Sequence, residues 1–145
     1  MSELSVVVSR RFSASIARVF EAWLDPEALA KFMTPCVGGP TARVTNNPVE
    51  GGEFEIIMRT EEKEIPHKGF YKTIDRYRKL VFTWDSPFSL PDSEVTLDFV
   101  ERAGGTEVTL THVKFASEEA RKGHEGGWTG ILSALDPVLA ESKAA

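Results

Sequence analysis

The sequence has one cysteine, no long apolar run and no excess of basic charge, and each shortage excludes a class of protein. Cys36 has no partner for a disulfide within the chain, which excludes a disulfide scaffold and predicts a reducing, cytoplasmic location. No segment approaches the ~18 apolar residues that a membrane helix needs, and the first residues lack the pattern of a secretory signal. With 17 basic and 22 acidic residues, a net charge of −5 and a pI near 5.3, the chain is not expected to bind nucleic acid or a membrane.

What is present is an ordinary globular composition. The chain has 145 residues, 41% hydrophobic and 27% charged, which predicts a single domain over residues 1–145. A chain of this size buries enough surface to fold without disulfides or metal. The sequence contains no Gly-x-Ser-x-Gly elbow, phosphate loop or metal-ligand spacing, so we expect no cofactor, no metal and no catalytic residue. A non-enzymatic role is favoured, although an enzyme stays open.

Hydrophobic periodicity predicts a strand, two short helices, a run of strands and a long last helix. Residues 4–12 are rich in β-branched side chains and predict the first strand. An apolar stripe from Ile16 to Leu24 predicts a helix, which Ser13 or Ser15 can cap. Asp25 and Pro26 then suit the N-cap and first position of a second helix. This order indicates an α+β fold with an antiparallel sheet of six to seven strands.

The middle of the chain alternates apolar and polar residues, as expected of strands with one buried face. The phase is imperfect between residues 68 and 75, which predicts a β-bulge. Glu61–Glu64 is expected at a solvated hairpin tip, and Ala103–Gly105 at a hairpin turn. The predicted strands cover residues 41–46, 54–58, 68–75, 80–84, 95–99 and 107–112.

The last helix is predicted from about Ser117 to Glu141, with Pro137 kinking or restarting it near Asp136. Glycines in its first half have two interpretations, close packing against the sheet or a flexible lid, and close packing is favoured. Those glycines are Gly123, Gly126, Gly127 and Gly130.

One helix covers only part of a curved sheet, so the remaining space is either filled by side chains or kept as a pocket. The predicted inner face is heavily aromatic, as in small-molecule sites. Its members are Trp23, Phe32, Phe54, Phe70, Phe82, Trp84, Phe99, Phe115 and Trp128.

Several stretches resemble the SRPBCC or START-like superfamily, and within it the activator of Hsp90 ATPase homolog 1-like family. The resemblance implies a helix-grip (Bet v 1/START-like) fold, in which a curved antiparallel sheet wraps around a long C-terminal helix and a hydrophobic cavity lies between them. Relatives include lipid carriers, hormone receptors, cyclases and antibiotic-sequestering proteins. The eukaryotic co-chaperone has a large N-terminal domain for which this chain has no room, so chaperone contact is not expected. The matching stretches are Phe20–Pro26, Gly69–Asp75, Lys79–Trp84, Val108–His112 and His124–Leu132.

We therefore expect a protein that binds a small apolar or aromatic molecule between the sheet and the last helix. His112, His124 and Tyr71 would orient the ligand. The alternative, which is favoured for the histidines, is that His112 satisfies a backbone group near the start of the last helix and His124 lies at the surface. The alternatives are a cyclase or lyase in the same cavity and a co-chaperone-like protein-binding module, and a homodimer stays open. The predicted ligand-binding residues are Trp23, Phe32, Met58, Phe70, Tyr71, Trp84, Phe99, His112, His124, Trp128, Ile131 and Leu132.

Overall fold

The computed structural model describes residues 5–33, 42–59, 64–85, 89–102, 104–115 and 117–144. Within these ranges the elements follow the predicted order, so the α+β prediction is confirmed. The strands are β1 Ser5–Phe12, β2 Arg43–Asn46, β3 Glu53–Arg59, β4 Glu64–Asp75, β5 Lys79–Thr83, β6 Ser89–Arg102 and β7 Gly105–Phe115, and the helices are α1 Ile16–Ala22, α2 Pro26–Phe32 and α3 Glu118–Ala144.

The seven strands form one curved antiparallel sheet around the long helix, as the helix-grip expectation requires. The strand order is β1-β7-β6-β5-β4-β3-β2, which places β1 beside β7 and leaves β2 at the far edge. Helix α3 packs against β1 and α2. The aromatic side chains of the inner face therefore lie between the sheet and the three helices.

The two short helices begin where the sequence predicts, because each has a capping side chain. The Ser15 Oγ accepts a hydrogen bond from the Arg18 backbone N–H at 3.3 Å, which caps α1. The Asp25 Oδ1 accepts one from the Glu27 N–H at 3.1 Å, and α2 starts at Pro26. These caps position Trp23, which lies between the two helices.

Strand β4 contains the predicted bulge, where its register with β5 shifts between Tyr71 and Thr73. The expectation that Phe70 faces inward is wrong: its side chain is 43% exposed, while Tyr71 is buried. Because neighbouring residues of a strand point to opposite faces, the inward position of Tyr71 places Phe70 on the outer face of the sheet. His67 shares that inner phase and is also buried.

Gly69 allows a close approach on the same strand. A Cβ atom at this position would lie 2.1 Å from the Thr83 carbonyl oxygen and 2.8 Å from Cζ of Phe54. Both distances are shorter than any real contact, so only glycine lets the Phe54 ring lie across β4 here.

Helix α3 runs from Glu118 to Ala144 without a break, so the predicted restart near Asp136 is wrong. Proline removes one intrahelical hydrogen bond. Buried Leu135 and Leu139 flank Pro137 on the side that packs into the core, and their burial outweighs that loss. The Ser117 Oγ caps the helix by accepting from the Ala120 N–H at 3.1 Å.

The glycines of α3 do not pack closely against anything, which overturns the favoured interpretation. A Cβ atom at Gly123, Gly126, Gly127 or Gly130 would meet nothing within 4 Å. Trp128 and the leucines, on the opposite side of the helix, make its contact with the sheet.

Three predictions fall outside the described residues. They concern Cys36, residues 61–63 of the hairpin tip predicted at 61–64, and the inward position of the Phe115 side chain.

Candidate functional site

Most of the predicted ligand-binding residues lie inside the molecule, but they do not surround one space. Phe70 faces outward and His124 is only half-buried. Phe99 packs on Phe20 with ring centroids 4.8 Å apart, and Trp23 packs on Phe32 at 5.0 Å. The other buried members are Met58, Tyr71, Trp84, His112, Trp128, Ile131 and Leu132.

Trp84 of the sheet and Trp128 of α3 were both predicted to bind the ligand between the sheet and the last helix. Their ring centroids are 4.9 Å apart, so the two indoles are in direct contact. The His112 ring packs 5.8 Å from Trp128, and the His124 ring 5.2 Å from His112. The protein's own rings therefore fill the space between these two surfaces.

His112 is held in one neutral tautomer by a chain of hydrogen bonds. The Trp128 Nε1–H donates to His112 Nδ1 at 2.9 Å, and an indole nitrogen can only donate, so Nδ1 carries no proton. The Nε2–H therefore donates to Ser93 Oγ at 2.5 Å, and the Ser93 hydroxyl donates to the Val113 carbonyl at 3.0 Å. Burial, with a smaller contribution from His124, lowers the pKa of His112 to about 3.

His67 is a third histidine of this region that the sequence interpretation missed. Its ring lies 4.7 Å from that of Trp84, and its Nδ1–H donates to the Ile56 carbonyl at 3.3 Å. Burial lowers its pKa to about 4, against a smaller opposing effect of that hydrogen bond. The predicted strand began at residue 68, one position too late to show that residue 67 shares the inward phase of Tyr71.

His124 has a different environment. Its Nδ1–H donates to the Ala120 carbonyl, one turn earlier in α3, at 2.8 Å. The alternative interpretation of the sequence gives a backbone bond to His112 and a surface position to His124, whereas in the structure the half-buried His124 bonds the backbone and His112 bonds Trp128 and Ser93.

A small cavity lies away from the tryptophan pair, between α2 and strands β3 to β5. Its volume of about 10 Å³ is room for one water molecule. Of the predicted ligand-binding residues, Trp23 and Tyr71 line it. The remaining walls are apolar and come from Leu29, Met33, Phe54, Ile56 and Phe82.

Two of the residues that line this cavity carry polar groups. The indole of Trp23 is 2% exposed, and its Nε1–H has no hydrogen-bond partner within the described parts of the chain. The Tyr71 hydroxyl accepts from Asn46 Nδ2 at 3.1 Å, and the same amide donates to the Leu24 carbonyl at 2.8 Å. Burial raises the pKa of Tyr71, opposed by the hydrogen bond from Asn46. The sequence did not predict that Asn46 contacts Tyr71, because an asparagine just before a turn usually serves that turn.

The arrangement offers neutral donors in apolar surroundings and no ionised group. Such a site can hold an uncharged guest by an oxygen atom. Over the residues whose positions are described, no three His, Cys, Asp or Glu side chains are grouped to hold a metal ion. None of the described helices is long and apolar enough to cross a membrane.

Solved structures share this fold over nearly the whole chain. An uncharacterized protein from Rhizobium leguminosarum is 22% identical with a TM-score of 0.83, covering 97% of this chain and 96% of its own. A protein of unknown function from Staphylococcus aureus is 19% identical with a TM-score of 0.81, covering 99% and 98%. A protein from Nitrosomonas europaea is 21% identical with a TM-score of 0.80, covering 98% and 97%.

These identities show the fold alone. A search of the curated proteins finds no match. The family model described as "Activator of Hsp90 ATPase homolog 1-like protein" matches residues 13–140, from the start of α1 to near the end of α3. This chain therefore belongs to the Activator of Hsp90 ATPase homolog 1-like protein family.

Proposed function

We propose that this protein binds a small, uncharged, largely apolar molecule in the cavity bordered by Trp23 and Tyr71. The observation that carries the proposal is the buried Trp23 Nε1–H without a partner among the residues described. A buried donor left unpaired costs about 1–3 kcal/mol, so an acceptor atom placed there recovers that free energy. A carbonyl or ether oxygen on an apolar guest is such an acceptor.

The surrounding walls favour a guest of this kind. Phe54, Phe82 and Ile56 offer apolar surface, whose burial contributes about 25 cal/mol per Å². The present volume of about 10 Å³ holds a water but no ring. A larger guest requires the side chains of Leu29 and Met33 to move, and methionine is the side chain best able to repack.

The enzyme alternative has less support. Its best candidate base, His112, has both ring nitrogens engaged, one by Trp128 and one by Ser93. A general base must offer a lone pair to the substrate, and the Nδ1 lone pair of His112 already accepts the indole N–H.

The protein-binding alternative also lacks a surface among the described residues. The exposed large apolar side chains are dispersed over β1, β4, β6 and two turns, whereas a docking patch needs them together. They are Val7, Val49, Phe70, Tyr77 and Val100. The cytoplasmic location and the single-domain organisation stay predictions from the sequence.

Two compounds of similar shape test the proposal. Acetophenone carries a carbonyl oxygen, and cumene replaces that carbonyl by an apolar CH(CH₃) group. We expect both to change the tryptophan fluorescence and raise the Tm, and Trp23→Phe to weaken acetophenone by roughly tenfold while leaving cumene unchanged within about twofold. Trp128→Phe is the matched control, because its indole N–H is already bonded to His112.

The proposal fails if neither compound produces a saturable change. It also fails if Trp23→Phe weakens both compounds equally, because the indole N–H would then have no part in recognition.

A further inference from the structure

A large cleft lined by described residues lies outside the sheet–helix interior. It is bounded by α1, α2 and the end of α3, with the β2–β3 and β4–β5 turns at its sides, and has a volume of about 780 Å³. That volume is typical of small-molecule sites, which span roughly 300–1,000 Å³. Its floor is apolar and buried, formed by Ala22, Leu24 and Leu139.

The rim carries three cations and three carboxylates, and several of these groups already form an ion pair or cap a helix. Arg76 Nε donates to Glu21 Oε2 at 2.9 Å, which pairs one cation with one carboxylate. The Asp25 carboxylate caps α2 by accepting the Glu27 N–H. Lys31 and the exposed Glu27 complete the rim.

Arg18 differs from the other rim cations. Its Nη2 donates to the Leu139 backbone carbonyl, which holds the guanidinium against the wall formed by α3. No carboxylate of the described chain lies within ion-pair distance of it. Because a guanidinium has five N–H donors in a planar fork, the bond to Leu139 leaves donors for a second acceptor.

We propose that this cleft binds a small organic carboxylate with an apolar body, its head group on Arg18 and its body on the Ala22–Leu24–Leu139 floor. A carboxylate matches the planar fork of one guanidinium and carries a single charge. A phosphate dianion would meet stronger repulsion from the Glu21, Asp25 and Glu27 carboxylates. This site is separate from the cavity beside Trp23 and does not depend on it.

Octanoate and octanol are the compounds for the test, followed through the backbone amide signals of the folded chain by NMR. Octanoate should give saturable shifts at Ala17, Ala28 and Val138, which line the cleft, and not at Ile56 or Phe82, which line the interior. Octanol, which has no charge, should bind at least roughly tenfold more weakly.

Variants of Arg18 identify the head-group partner. Arg18→Gln should weaken octanoate by about tenfold or more, whereas Arg18→Lys, which keeps the charge, should weaken it only a few-fold. Arg78→Gln, an equal charge change at an exposed turn residue, should leave the affinity within about twofold. Melting curves of each variant identify any loss from misfolding.

The proposal is overturned if the shifts do not saturate, if they fall on Ile56 and Phe82 instead, or if a folded Arg18→Gln variant binds octanoate as tightly as the parent. Shifts at the interior residues alone would support the cavity of the proposed function while removing this one. Octanoate shifts at the cleft alone would support this proposal, while the cavity of the proposed function, which takes an uncharged guest, is decided by acetophenone and cumene.

Discussion

The Trp128 indole donates its N–H to Nδ1 of His112 across 2.9 Å, and this single bond joins the last helix to the seventh strand. Because the indole can only donate, the bond also fixes which nitrogen of His112 carries the proton. The imidazole therefore links Trp128 to Ser93 through two hydrogen bonds within the core.

Replacing Trp128 and Trp23 by phenylalanine should separate the energetic effect of the indole hydrogen bond from the effect of the lost ring volume, because among the described residues only the Trp128 indole N–H of these two is bonded. Trp128→Phe leaves the Nδ1 lone pair of His112 buried without a donor, whereas Trp23→Phe removes an N–H with no partner in the described structure. Both side chains are 2% exposed, so their losses of packing are comparable. We expect Trp128→Phe to lower the free energy of unfolding by about 1–2 kcal/mol more, measured by urea denaturation. Equal losses would contradict the role given to the bond.

Acid should destabilise the fold through its buried histidines. Burial lowers the pKa of His67 to about 4 and that of His112 to about 3, while in the unfolded chain both lie near 6.5. As the pH falls below about 6.5, both histidines become protonated in the unfolded state but stay neutral in the folded state. The stability that the two neutral histidines contribute is therefore fully present above pH 6.5, and it is lost as the pH falls toward 4 for His67 and toward 3 for His112.

By pH 5.5 each of these histidines should lower the free energy of unfolding by roughly 1 kcal/mol relative to pH 7.5. His67→Gln removes one titrating group and should remove about half of that dependence, measured by urea denaturation at the two pH values. A variant that keeps the full dependence would show that His67 does not contribute to it.

The glycines of α3 offer a stabilising change. Gly127→Ala adds a Cβ that meets nothing within 4 Å, and alanine is favoured over glycine in a helix by up to about 1 kcal/mol. We expect its Tm to rise. Gly69→Ala is the contrasting variant, because its Cβ would lie 2.1 Å from the Thr83 carbonyl and should lower the Tm sharply. A fall in Tm for Gly127→Ala would mean that the exposed face of the helix has a contact not seen here.

The ion pair between Arg10 of β1 and Asp136 of α3 should contribute little. The Arg10 Nε donates to Asp136 Oδ2 at 2.9 Å, but both side chains are 40% exposed. Asp136→Asn is expected to cost about 0.5–1 kcal/mol in low salt and less in high salt, measured by thermal unfolding. A cost that does not change with salt would point to packing beside Pro137 instead of charge.

The sequence predicted the local features of this fold because local chemistry determines them. Ser15, Asp25 and Pro26 mark helix starts by their own side chains, and the imperfect alternation after residue 68 marks the bulge. Pro137 was misjudged, since the burial of Leu135 and Leu139 on either side decides whether the helix continues, and burial is a property of the whole fold.

The sites were harder to predict. Strand alternation predicts that Trp84 faces inward and helical periodicity predicts the same for Trp128. Neither pattern shows that the two rings are in contact and leave no gap. The cleft gathers Arg18, Arg76 and Leu139 from three distant parts of the chain, and no sequence spacing indicates that they come together. Side chains that serve one site from separate elements become visible only when the elements are packed.

The pairing of β1 with β7 has a consequence for biosynthesis. Ser9 and Thr109 join their hydroxyls at 3.1 Å although 100 residues separate them along the chain. Strand β1 is therefore synthesised about 100 residues before its neighbour β7, and Val6, which is buried in the folded protein, stays exposed until β7 is made. Contacts this distant along the chain are typical of slow folders, because the long loop between the two strands must close before their pairing adds any stability.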